Sequence, residues 1–139
     1  MAKKMIDLIF ELKSGCHSKE EKIQKELKLS PAEFRGILAL TPESAIPCNT
    51  LSNKMGLSKS RGSRVIEKLM KSGYIKEFKK EGDRRIMYVM LTTKGVKTQD
   101  KIHKILEECE SIILKNIPKS KLLNFEKSLI KISEILLSN

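Results

Sequence analysis

The segment Leu51–Ile75, with the sequence LSNKMGLSKSRGSRVIEKLMKSGYI, decides the fold of this 139-residue chain. Its first residues predict a short helix that ends at Gly56, where glycine readily adopts the left-handed conformation of a helix terminus. Ser58 is a good N-cap for a second helix, which runs to about Ser72 and stops at Gly73. Two short helices joined by a tight turn are the pattern of a helix–turn–helix.

The second helix of this segment separates into two faces at 100° per residue. One sector of about 100° is the predicted core face and holds Gly62, Val65, Ile66 and Leu69. The opposite face and its flanks are polar and mostly cationic: Lys59, Ser60, Arg61, Ser63, Arg64, Glu67, Lys68 and Lys71. Because the apolar stripe continues through SKSRGSR, this stretch is a helix and neither a phosphate-binding loop nor a linker. Gly62 points inward, and we expect it to allow close packing against a neighbouring helix.

The rest of the chain supplies further helices and one hairpin. Residues 3–28 read as one or two amphipathic pieces broken near Ser14-Gly15. A capping box of Ser30 and Glu33 starts a helix that ends after Leu40. The stretches YIKEF and IMYVML flank KKEGDR, whose glycine and aspartate favour a hairpin turn. Two long helices follow, the first capped by Thr92 and ended by Pro118, the second rich in Leu and Ile.

The fold class is therefore mainly α with a small β-hairpin wing. We expect one subunit over 1–139, with a winged helix–turn–helix over 30–91 flanked by dimerisation helices over 1–29 and 92–139. The flanking helices are amphipathic and need a surface on which to bury their apolar stripes. A second copy of the chain is the expected partner.

The charge of the chain favours an anionic partner. The net charge is +11, and residues 54–85 hold eleven basic and four acidic residues, a net charge of +7. A lysine-rich composition alone would explain an excess of positive charge spread evenly along the chain. Clustering of that charge instead indicates a nucleic-acid partner. Neither a signal peptide nor a run of membrane-spanning length is recognisable. Three scattered cysteines fit reduced thiols in a cytoplasmic protein. No nucleophile motif and no metal-ligand spacing can be named, so we expect neither an enzyme nor a metal or cofactor.

Two elements carry the expected contacts with double-stranded DNA. On the recognition helix, Arg64 can pair with guanine in the major groove, serines can approach bases or phosphates, and the other cations reach phosphates. These residues are Ser58, Lys59, Ser60, Arg61, Ser63, Arg64 and Lys68. The wing contributes Lys79, Lys80, Asp83, Arg84 and Arg85, with arginine suited to a narrow minor groove and Asp83 expected to pair with an arginine such as Arg85. The alternatives are a solvated basic face, or a winged helix that binds an acidic protein.

At these motifs the chain resembles the MarR family of multiple-antibiotic-resistance regulators. The resemblance rests on LSPAEFRGILAL, on the segment quoted first and on EGDRRIMYVMLTTKG, and covers about residues 29–97. It implies a homodimeric winged helix that reads a pseudo-palindrome and acts as a repressor, with Arg64 in the major groove and Arg85 in the minor groove. It also implies release by a small anionic aromatic effector or by cysteine oxidation. The chain departs from the family pattern at Gly62, at Pro47 and in its short region 1–28.

Sensing residues are less well defined by the sequence. Cys16 lies in the region where redox-sensing relatives keep a cysteine, so it is the candidate redox sensor. Cys109 follows an apolar stripe, which favours a core position. Cys48 begins a helix, whose dipole would lower the pKa of its thiol, whereas partial burial is the alternative. A zinc site formed by Cys16, His17 and His103 has no spacing motif to support it.

Overall fold

The structure, a computed structural model, describes residues 2–82 and 85–138. Six helices and three strands are formed within these ranges. The elements are α1 (Met5–Leu27), α2 (Pro31–Ala39), β1 (Ile46–Pro47), α3 (Cys48–Lys54), α4 (Lys59–Lys71), β2 (Ile75–Phe78), β3 (Tyr88–Leu91), α5 (Thr93–Asn116) and α6 (Lys119–Leu137). This is the mainly helical fold with a small antiparallel sheet that the sequence predicts.

The first helix is unbroken, so the predicted break near Ser14-Gly15 is wrong. Gly15 lies in the middle of the 23-residue helix α1, and no atom comes within 4 Å of a Cβ built on it. A single glycine costs about 1 kcal/mol relative to alanine in a helix interior. Glycine keeps its backbone N–H, unlike proline, so the helical hydrogen bonds can continue past Gly15. The turns on either side outweigh the small cost of the glycine. The helix ends at Lys28, which has a left-handed φ of 56°.

The predicted helix ends of the central segment are confirmed. Ser30 Oγ accepts from the backbone N–H of Glu33, and the Glu33 carboxylate accepts from the backbone N–H of Ser30 at 3.0 Å. Gly56 and Gly73 both have positive φ, as their places after α3 and α4 require. The core between these helices and the sheet is aliphatic with one aromatic side chain, and includes Phe34, Ile37, Leu51, Met55, Ile66, Leu69, Ile75, Val89, Leu91 and Ile102.

The sheet has three strands in the order β1-β3-β2, all antiparallel. The hairpin of β2 and β3 was predicted, although β3 begins only at Tyr88. The edge strand β1 was missed because two residues are too short for a sequence pattern. Ile46 pairs with Val89, and Pro47 pairs with Tyr88 and then acts as N-cap of α3. Proline lacks an N–H to donate, so an edge strand is the position in a sheet that tolerates it.

The end of α4 is joined to the start of α5 by a dense set of hydrogen bonds. Thr92 Oγ1 caps α5 by accepting from the N–H of Gly95 at 3.1 Å, and it also donates to the carbonyl of Gly73. The backbone N–H of Thr92 donates to the carbonyl of Tyr74 at 3.0 Å. Lys94 Nζ donates to the carbonyl of Ser72 at 2.7 Å and lies 4.6 Å from the ring centre of Tyr74. These contacts hold the residues that follow α4 against the start of α5.

A buried amide closes the far end of α2. The helix stops at Leu40, which is extended, so no left-handed residue turns its last carbonyls inward. Instead the Gln99 side chain, on α5, donates from Nε2 to the carbonyls of Ile37 at 2.8 Å and Leu40 at 2.6 Å. Buried backbone acceptors need partners. The Leu40 carbonyl finds this partner about sixty residues away in sequence, and the Ile37 carbonyl accepts in addition from the Leu40 N–H at 3.4 Å.

The chain forms two compact units, Met1–Ile102 and His103–Asn139. The first contains the winged helix, and its helix α1 exposes apolar side chains that include Phe10 and Leu12. The second consists of the rest of α5 and of α6, and no residue of α6 is buried. The predicted division into a DNA-binding region and dimerisation regions stays a prediction. None of the helices described is sufficiently long and apolar to span a bilayer.

Candidate nucleic-acid interface

The predicted recognition helix α4 packs directly on α3 through its glycine. A Cβ built on Gly62 would lie 2.0 Å from Oγ and 2.5 Å from Cβ of Ser52, a buried residue of α3. Contacts this short do not occur between real atoms, so no larger residue fits without movement of one helix. The expected close approach is thus present, and Ile66 and Leu69 are buried on the same face, while Val65 is only half-buried.

All seven contact residues predicted on the recognition segment are exposed to solvent. They lie at the N-cap and along the outward face of α4: Ser58, Lys59, Ser60, Arg61, Ser63, Arg64 and Lys68. Ser58 Oγ accepts from the backbone N–H of Arg61 at 3.3 Å, so this oxygen also caps the helix. Within the described part of the chain, no carboxylate forms an ion pair with any cation of this set. These cations are available to an external anion.

The wing residues that the structure describes are also exposed. Lys79 and Lys80 follow β2, and Arg85 precedes β3. Lys80 Nζ lies 5.4 Å from the ring centre of Tyr88, which draws its ammonium group back toward the sheet. Asp83 and Arg84 lie outside the described residues, and so does the expected pairing of Asp83 with an arginine.

A cationic cleft runs between the start of α2 and one flank of α4. This open cleft has a volume of about 640 Å³ and is lined by four basic side chains, those of Arg35, Arg61, Arg64 and Lys68. Its one acidic lining residue among those described is Glu33, whose carboxylate is held by the Ser30 N–H. The sequence predicted the three cations of α4 but missed Arg35. That residue lies on another helix, and only tertiary packing brings it beside them.

The cysteines differ in their surroundings. Cys16 is exposed on α1, and a sensing role for it stays a prediction. Cys109 is half-buried, although the sequence favoured a core position. Burial raises the pKa of the Cys48 thiol, and the Glu77 carboxylate raises it further. The lower pKa expected from the helix dipole is therefore outweighed, and Cys48 is a poor candidate for a reactive thiolate. The described residues contain no group of three or more side chains suited to bind a metal ion.

The arrangement of α2, α3 and α4 with the three-stranded sheet defines a winged helix. Residues 29–87 match the model of the MarR family. Over 55 residues the chain is 34% identical to the HTH-type transcriptional regulator BilQ of Clostridium symbiosum (strain WAL-14163). This match covers 40% of the chain and 38% of that relative, so less than half of the relative's length is represented. The family-model match over residues 29–87 confirms the resemblance that the motifs carry.

Solved structures share the fold over nearly the whole chain. Streptococcus pneumoniae FabT in complex with DNA superimposes with a TM-score of 0.84 at 16% identity, covering 97% of this chain and 99% of FabT. NadR in complex with 4-hydroxyphenylacetate gives a TM-score of 0.72 at 20% identity, covering 97% of this chain and 95% of NadR. At these identities the likeness concerns the fold. It confirms the predicted winged-helix class.

Proposed function

We propose that the chain is a transcriptional regulator that binds double-stranded DNA sequence-specifically and acts as a repressor in the cytoplasm. The observation that carries this proposal is a set of exposed cations on α4 that form no ion pair among the described residues: Lys59, Arg61, Arg64 and Lys68. An α-helix fits the major groove, and the packing of Gly62 on Ser52 holds α4 against α3 in a fixed position. The complex of FabT with DNA supports this use of the fold. No enzymatic activity is part of the proposal.

Binding to duplex DNA should fall steeply as salt rises. The probe is intergenic DNA beside the gene that contains an inverted repeat, and the control is a random duplex of equal length. The logarithm of the binding constant should fall by about 0.9 for each phosphate neutralised per tenfold rise in salt. A chain that binds neither duplex at low salt, but captures an acidic protein, would be the interaction module that the sequence left open.

Replacing Arg64 with alanine should weaken binding to the inverted repeat by roughly 1–3 kcal/mol and relax the preference for it over the random duplex. The reason is that a guanidinium paired with guanine reads a base, whereas a phosphate contact does not. Lys68→Ala is the matched control, because it should weaken both duplexes alike and leave the preference intact. Fluorescence anisotropy measures both effects. An Arg64→Ala variant with unchanged preference contradicts the assignment of Arg64 to base readout.

We also propose that the regulator is a homodimer that reads a pseudo-palindrome. Among the described residues, each compact unit exposes large apolar side chains to solvent. In α6 these include Leu123, which is 60% exposed, and Ile130, which is 59% exposed. Soluble proteins rarely expose such sets of large apolar residues without a partner that covers them. A second copy supplies the same surface by symmetry.

The chain should therefore sediment as a dimer at micromolar concentration. The double substitution Leu129→Glu with Ile130→Glu should shift it to a monomer and abolish binding to the inverted repeat. Both residues are at least half exposed within the subunit, 51% for Leu129 and 59% for Ile130, so the substitutions remove little internal packing. The neighbouring change Lys131→Glu is the control and should leave the dimer intact. A parent chain that sediments as a monomer contradicts the proposal.

Release by an effector completes the proposal. The effector would be a small anionic aromatic compound, and the complex of NadR with 4-hydroxyphenylacetate supports that chemical class.

A further inference from the structure

The cationic cleft between α2 and α4 contains a basic residue that belongs neither to the recognition helix nor to the wing. Arg35 lies one turn into α2, and its Nη1 donates to the carbonyl of Met55 at 3.5 Å. Met55 begins the turn of the helix–turn–helix, so the guanidinium lies beside that turn. Gly56 and Leu57 of the turn line the same cleft. A guanidinium has five N–H donors. The long hydrogen bond to the Met55 carbonyl occupies one of them, so the others can bind a further acceptor.

The other three cations form a single stripe on α4. Arg61, Arg64 and Lys68 are spaced by three and four residues, so their side chains project from the same side of the helix. The cleft thus holds four cations against one carboxylate, and that carboxylate accepts from the Ser30 N–H. In the described part of the chain none of the four cations forms an ion pair. Like charges that line one cleft repel one another, and an anion between them relieves the repulsion.

We propose that this cleft seats a phosphate of the DNA backbone, and that Arg35 is its contact on α2. The inference rests on the proposed function, since α4 must enter the major groove for the DNA backbone to lie along its flank. Arg61 and Lys68 border the same phosphate path, while Arg64, which is exposed, is assigned to a base. Arginine suits this task because its planar fork binds two phosphate oxygens at once.

The exposure of the basic side chains that line the cleft favours a phosphate of the DNA backbone over a free anion. All four basic side chains are exposed, so the cleft is open along its length and does not enclose a small ligand. Sites for small molecules usually bury most of the ligand against apolar walls. A DNA strand instead presents a row of phosphates to an open, charged groove. The contact would extend the protein footprint past the recognition helix onto the adjoining backbone.

The test compares Arg35→Ala with the parent on the inverted-repeat duplex and on the random duplex. Affinity should fall about tenfold on both, and the slope of the salt dependence should fall by about 0.9 for each subunit bound. Arg35→Lys should recover part of the affinity, and Lys19→Ala, at an exposed position of α1, should change nothing. The melting temperature of Arg35→Ala should match that of the parent, since its hydrogen bond to Met55 is long.

Three outcomes would overturn the inference. In the first, Arg35→Ala keeps the parent's affinity and salt slope while Arg64→Ala still loses preference, which leaves the proposed function intact. In the second, Arg35→Ala loses preference for the inverted repeat, which makes Arg35 a base-reading residue. In the third, inorganic phosphate at constant ionic strength raises the melting temperature of the parent but not of Arg35→Ala, and DNA binding is unaffected. That pattern describes a site for a free anion.

Discussion

Replacing Gly95 with alanine should lower the free energy of unfolding by about 2–3 kcal/mol. A Cβ at this position would lie 2.1 Å from the carbonyl oxygen of Tyr74 and 3.0 Å from Cδ2 of Leu91. The obstacle is backbone, so no rotamer change relieves it. The same carbonyl accepts from the N–H of Thr92, and moving it would break that bond at the start of α5. A loss of several degrees in melting temperature should follow.

Gly15→Ala is the matched control for this experiment. Both glycines are in helices, but Gly15 is exposed and has open space around its missing Cβ. The same substitution there should raise stability by up to about 1 kcal/mol through helix propensity. Thermal unfolding followed by circular dichroism measures both variants. If Gly95→Ala is as stable as the parent, the close contact with Tyr74 does not constrain the position.

The second large effect is expected at Gly62. Gly62→Ala should destabilise the chain by about 1–3 kcal/mol and should also weaken binding to DNA. The new Cβ would overlap both side-chain atoms of Ser52, so α4 must move away from α3. A shift of the recognition helix displaces Arg64 from the geometry that base readout requires. Chemical denaturation and anisotropy on the same samples separate loss of stability from loss of affinity.

A second-site change tests whether Ser52 is the cause. In the double variant Gly62→Ala with Ser52→Gly, both overlapping atoms of Ser52 are removed, and the nearest remaining atom is its Cα at 3.3 Å. The loss in free energy of unfolding for the double variant should then be smaller than the sum of the losses for the two single variants. Such non-additivity is expected for residues in contact. A gain in melting temperature for Gly62→Ala alone, with DNA binding intact, would show that close packing does not explain the glycine.

Local signals explain the parts of the fold that the sequence predicted. The capping box of Ser30 and Glu33, the turn at Gly56 and the cap at Thr92 each depend on residues within four positions of one another. Such features can be recognised from a short stretch of sequence, and the structure confirms each of them. The strand β1 and the unbroken course of α1 were beyond this approach. The first depends on pairing with distant Val89, and the second on the summed stability of 23 residues.

The candidate interface was likewise only partly predictable. Helical periodicity placed Arg64 and its neighbours on the outward face of α4, because one helix determines that face. Arg35 gave no such signal, since its role depends on how α2 lies against α4. For Cys48 the sequence left two outcomes open. The structure favours partial burial, which together with the carboxylate of Glu77 raises the pKa of the thiol.

The amide of Gln99 bears on how the chain folds. It donates to two carbonyls at the end of α2, of which that of Ile37 also accepts from the Leu40 N–H at 3.4 Å. The Gln99 amide therefore completes the end of α2 through a contact of long sequence separation, and such contacts slow the search for the native state. We therefore expect a fragment that folds by itself to extend beyond the wing through Gln99 and Ile102, which are both buried. The helix that leaves the winged domain is also the last part needed to complete it.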